Sequence, residues 1–133
     1  MNQYLKKYKT SQSYSWTRID MLVLIYDKAC SSLNQGCRLL EEDRISELPP
    51  VRLKAMQSLL MIADGLDLRQ GDLPSFVMRL VAFALEKVST HSSEGWRSAA
   101  DVIGKLREGF LEIQEQARID EYEGRIPALD TVK

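Results

Sequence analysis

Four stretches of this chain carry apolar residues at the three- and four-residue spacing of a helix, and none alternates apolar with polar over the length of a strand. Each stretch is bounded by a capping or breaking signal. Thr17 with Asp20 three positions on has the residues of a capping box, and Trp16 can staple onto Met21. The stripe that follows is Leu22, Tyr26, Ala29, Leu33, Cys37 and Leu40, and it runs out in Glu41-Glu42-Asp43. Pro49 and Pro50 then open a second helix, because proline's fixed φ and missing N–H suit a first helical turn. Its inward set is Leu53, Met56, Leu59, Leu60, Ala63 and Leu66, and it stops by Gly71. Asp72 is the expected cap of the third helix, with Leu73, Phe76, Val77, Leu80, Val81, Ala84 and Val88 as its stripe. The fourth opens at Ser92 or Ser93 and aligns Trp96, Ala99, Ile103, Leu106, Phe110, Ile113 and Ala117. Short links between long helices make neighbours antiparallel. The pattern therefore predicts an all-α fold, an antiparallel up-down-up-down four-helix bundle over 16–117, with an N-terminal arm over 1–15 and a short flexible C-terminal tail over 118–133.

Three of these helices have more apolar residues than one core can use. On the third, Met78 and Leu85 fall well outside the stripe and Phe83 on its far flank, so apolar residues cover roughly 220° of the wheel against an ordinary arc a little over 100° wide. On the first, Met21, Leu24, Ile25 and Leu39 lie off the stripe, and on the second Met61 and Leu68 sit nearly opposite it. The fourth helix is the control, because Arg97, Asp101, Lys105, Glu108, Glu112 and Glu115 make its outer face an ordinary solvated one. A contiguous apolar surplus marks an interaction surface, and methionines within it suit a surface that adapts to a partner helix.

Composition narrows the function classes. Eighteen basic and nineteen acidic residues leave a net charge of -1, so no electrostatic footprint for nucleic acid exists. The longest apolar run, Met21 to Tyr26, is too short to cross a bilayer, and the start has no apolar signal core, so the expected location is cytoplasmic with no stable membrane insertion. Cys30 and Cys37, seven residues apart on one helix, are separated by about 10 Å and cannot bridge each other. Catalysis has no footing: His91 is the single histidine and sits in a serine-rich link, no Glu-x-x-His pair occurs, and neither a phosphate loop nor a zinc-spaced cluster is present. The expectation is a chain with no enzymatic activity, no metal and no cofactor.

Several of these segments resemble one family. Met21-Leu22-Val23-Leu24-Ile25-Tyr26-Asp27-Lys28-Ala29 is similar, without a gap, to the Leu-Ile-x-Met-Leu-Tyr-Asp-Gly segment of the flagellin-specific secretion chaperones of bacterial flagella (FliS). Tyr4 and Tyr8 precede it as tyrosines do there. Gly65-Leu66-Asp67, Gly71-Asp72-Leu73 and the stretch to Val88 match that family's Ser-Leu-Asp, Gly-Glu-Leu and Leu-Tyr-x-Tyr spacing, and Leu106-Arg107-Glu108-Gly109-Phe110 stands where it has Leu-Arg-x-Ala-Trp. The chain departs from the pattern at Thr17-Arg18 for Ser-Pro, at Val81 and Phe83 for the paired tyrosines, at Phe110 for Trp, and at Lys28, a charge where the family has glycine.

The resemblance implies a cytosolic export chaperone that binds the disordered C-terminal segment of flagellin, prevents premature polymerisation and presents it to the flagellar export gate. The client-binding residues expected on this chain are Met21, Leu24, Ile25, Tyr26, Met61, Leu68, Met78 and Leu85, with Tyr4, Leu5 and Tyr8 of the arm able to cover the groove. Such a chain is a monomer or weak dimer. The alternative reading of the same surplus is a self-associating structural bundle, a homodimer without a client.

Overall fold

A computed structural model describes residues 17–124. Four helices follow in order: α1 (Arg18–Glu41), α2 (Leu48–Asp64), α3 (Asp72–Val88) and α4 (Ser93–Tyr122), with a short 3-10 turn at Ile45–Glu47. No strand occurs among the described residues. The expected capping box forms: Thr17 Oγ1 accepts from the Asp20 N–H, and the Thr17 N–H donates to Asp20 Oδ2 at 3.2 Å. Ser92 caps α4 by accepting from the Gly95 N–H at 3.0 Å. The expected Asp72 cap does not form. Gly71 holds the N-cap position at φ 102°, a backbone conformation that costs glycine little, and Asp72 becomes the first helical residue.

Contacts across the bundle give its direction. The Arg18 N–H at the start of α1 donates to Glu121 at the end of α4, and the Cys37 thiol at the other end of α1 donates to the Ser93 carbonyl, so α1 and α4 run antiparallel. Arg52, in the first turns of α2, donates to the Val88 and Thr90 carbonyls at 2.7 and 3.1 Å, which joins the start of α2 to the end of α3. Helix α1 packs on α2 and α4, and α3 on the same two, an up-down-up-down square.

One core fills it, from Tyr26, Leu33 and Leu40 through Leu48, Leu59 and Ile62 to Val77, Val81, Val88, Trp96 and Ile103. Trp96 is fully buried, and its indole N–H donates to the Thr90 carbonyl at 3.0 Å. A Cβ placed on Gly36 would lie 2.2 Å from the Trp96 ring, so this helical glycine is the notch into which the indole fits.

All four helices rotate or extend relative to the sequence pattern. On α2 the buried set is Leu48, Val51, Ala55, Ser58, Leu59 and Ile62, whereas Leu53 is 57% and Leu60 48% exposed. The observed face puts small Ala55 and Ser58 inward, where helix backbones approach closely. Leu39, read as off the stripe of α1, is buried in the same core. Helix α4 continues through Tyr122 instead of ending at Ala117, so the expected tail begins later than 118.

Candidate functional site

Helices α1 and α4 have 24 and 30 residues, α2 and α3 only 17 each. At one end of the square all four are flush. At the other, α1 and α4 run past their shorter neighbours, and the core opens between them. The opening is a groove of about 230 Å³ lined by Leu22 and Tyr26 of α1, Ile62 of α2, Leu66 beyond it, Leu73, Pro74 and Val77 of α3 and Phe110 of α4, with Gly65, Asp67 and Gln70 also on its wall. The Tyr26 and Phe110 rings meet at a centroid distance of 5.2 Å and form its inner wall. Burial, reinforced by neighbouring Cys30, pushes the Tyr26 phenol up to about 12, and burial also pushes the Cys30 thiol up. Both groups are therefore neutral at physiological pH, and the wall carries no ionised group from them.

Large apolar side chains crowd this end. Leu73 is 61% exposed and Phe76, one turn on, is also exposed. Both were expected in the core. Ile113, the next residue of the α4 stripe, is 52% exposed for a related reason: the stripe continues where α3 no longer reaches. Met21 and Leu24 on α1 and Leu68 after α2 are exposed too, and the antiparallel register that brings Lys28 beside Met61 places them at the same end.

The expected contact residues therefore divide. Met21, Leu24, Met61 and Leu68 are exposed as the surplus required. Tyr26 is core, presenting only the inner wall of the groove, and Ile25 is half-buried against the core. On α3, Met78 is half-buried and Leu85 packs against the core, because the inward face is centred on Val77, Val81, Ala84 and Val88. That centring turns Leu73 and Phe76 outward instead. Tyr4, Leu5, Tyr8 and the Trp16 staple lie outside the described residues.

Polar networks hold the overhang. Asp20 on α1 accepts from Gln114 Nε2 and Arg118 Nε of α4, both at 2.8 Å. Burial pushes its carboxyl up, yet Arg118, Gln114 and Thr17 together hold it below the ordinary carboxylate range. About two turns further along α1, Asp27 pairs with Arg107, and at the flush end Glu41 pairs with Arg97. Along the seam between α1 and α2, two further clefts of about 410 and 460 Å³ share Lys54, and the outlying Lys28 lines the first with Ser31, Ser32, Gln57 and Met61.

Among the described residues no group of three or more His, Cys, Asp or Glu side chains could hold a metal, and no helix is long and apolar enough to cross a membrane. His91 is exposed between α3 and α4, and both cysteines are free. Comparison with protein-family models, with curated proteins and with solved structures finds no match.

Proposed function

We propose that this chain is a non-catalytic, cytosolic export chaperone whose client is the amphipathic C-terminal segment of flagellin, taken up as a helix at the open end of the bundle and carried to the export gate. The observation that supports this reading is the apolar groove between Leu22, Tyr26, Leu66, Leu73 and Phe110, at the end of the bundle where Leu68 and Phe76 are also exposed. A preformed groove of this kind accepts the apolar face of an amphipathic helix, which reads as anchors at i, i+3, i+4 and i+7. The magnitudes suffice. Burying six to eight such side chains at roughly 1.5 to 3 kcal/mol each yields on the order of 10 to 20 kcal/mol. Ordering a disordered segment takes about 2 to 5 of that, and lost freedom on association at least about 4. A micromolar to nanomolar complex remains.

Calorimetric titration with a peptide copying the last few dozen residues of flagellin tests the reading. The expected result is one saturable site on the wild type and at least tenfold weaker binding for Leu73→Ser/Phe76→Ser, with an unchanged melting temperature. A mass in solution of two chains together with no heat from the peptide would instead establish the self-associating bundle.

A further inference from the structure

The seam between α1 and α2 carries charge that nothing beside it neutralises. On α1, Lys28, Ser31, Gln35 and Arg38 recur at steps of three and four residues along the flank beside α2, and on α2 Pro50, Lys54, Gln57 and Met61 answer them. Small, buried Ser32 and Ser58 lie between the two rows. Because Lys54 belongs to both clefts, they follow one another as a single furrow. Lys28 and Arg38 stand ten residues apart, about 15 Å along α1, with Lys54 between them. None of the residues lining the furrow lines the groove at the open end.

Four cations and two carboxylates line this furrow. Both carboxylates already have partners, Asp27 in Arg107 of α4 and Glu47 in Arg44, which also holds Glu42. Of the other acids on these helices and their link, Asp20 and Glu41 are turned to Arg118 and Arg97 of α4, and Asp43 and Asp64 line neither cleft. Lys28, Lys54 and Arg38 are exposed, and their side chains make no ion pair or hydrogen bond among the described residues. In a chain of net charge -1, attraction for an anion is therefore local to this furrow. Three cations at steps of about 7 Å match an extended peptide with a carboxylate at every second residue, because alternate side chains of a strand stand about 6.6 Å apart on one face. Exposed Ser31, Gln35 and Gln57 both donate and accept hydrogen bonds, as a peptide backbone requires. No aromatic residue lines the furrow, so it has no platform on which the bases of a single-stranded nucleic acid could stack.

We propose that the furrow between α1 and α2 binds an acidic polypeptide segment in extended form, with Asp or Glu at alternate positions. This site is separate from the open-end groove and does not depend on the chaperone reading. The test uses the full chain and labelled eight-residue peptides read by fluorescence anisotropy: one alternating Glu and Ser, one alternating Gln and Ser, and one with the same four Glu and four Ser in two blocks. The alternating Glu peptide should bind at least tenfold tighter than the Gln peptide and at least threefold tighter than the block peptide. Raising the salt from about 0.05 to about 0.5 M should weaken it, since exposed charges are screened. Lys28→Gln/Lys54→Gln should weaken it at least tenfold with an unchanged melting temperature. Arg79→Gln/Lys105→Gln, which removes the same charge from exposed positions outside the furrow, should leave it as it is. Equal affinity for the Glu and Gln peptides, or an equal loss in the two double variants, would overturn the site. Equal affinity for the block peptide would overturn the extended register, and tighter binding of an eight-nucleotide oligothymidylate would overturn a polypeptide as the ligand.

Discussion

Gly36 matters because of what it lacks. In a helix interior, replacing glycine by alanine ordinarily stabilises by about 1 kcal/mol, but here the new methyl would meet the Trp96 ring at 2.2 Å. The indole cannot retreat, since it is fully buried and held by its bond to the Thr90 carbonyl. Overpacking of this kind costs about 1 to 3 kcal/mol, so Gly36→Ala should lower stability in denaturant unfolding, and should do so far less in a Trp96→Leu background. Asp20 gives the second prediction at this scale. Its carboxyl is held below the ordinary range in the folded protein, so its contribution is present above the unfolded pKa of about 4 and is lost as pH falls through the folded value. Asp20→Asn should therefore reduce stability at pH 7 and flatten the acid limb of the stability curve below about pH 4. The two residues differ in how visible they are beforehand. Thr17 and Asp20 announce themselves by a local spacing, whereas the role of Gly36 depends on a ring sixty positions away, which no local pattern encodes.

The four helices were legible because their period and their caps are local properties of the chain. Rotation about the helix axis was legible only where one face was clearly richer than the rest. On α4, the charged residues from Arg97 to Glu115 leave one choice, and that choice is observed in Trp96, Ala99 and Ile103. On α2, leucine or methionine points in nearly every direction, and the outcome was decided by which face admits Ala55 and Ser58 against the neighbouring helices. Mutation separates the two faces. Leu53→Gln and Leu60→Gln should each alter stability by no more than about 0.5 kcal/mol, while Leu59→Ala or Ile62→Ala should cost about 2 to 5 kcal/mol. The same logic exchanges two positions on α3: Leu85→Ser should destabilise measurably and Leu73→Ser should not, because Leu85 packs on the core and Leu73 faces the opening. Half of the candidate site was misplaced for this reason. The surplus of apolar residues was real, but length mismatch between neighbouring helices, which periodicity does not express, moved much of it from the sides of the bundle to one end.

At the scale of the whole molecule, the seam between α1 and α4 is the most extensive and the most polar in its fastenings, with Asp20–Arg118, Asp27–Arg107 and Glu41–Arg97 spaced along it. The Asp27–Arg107 and Glu41–Arg97 pairs are largely exposed and each worth about 0 to 1 kcal/mol, so they set the register of two long helices more than they hold them together. The same seam brings the beginning of α1 to the end of α4, through the bond from the Arg18 N–H to Glu121. A bundle closed in this way has no privileged starting point. A short linker from Gly124 to Thr17, with new ends cut between Asp43 and Arg44 in the exposed turn after α1, would give a chain in the order α2, α3, α4, α1 that makes every helix contact described above. Such a permutant should melt cooperatively and near the parent temperature. It would also move both chain ends to the flush end of the bundle, leaving the open end free for a fused reporter to be kept at a distance from whatever binds there.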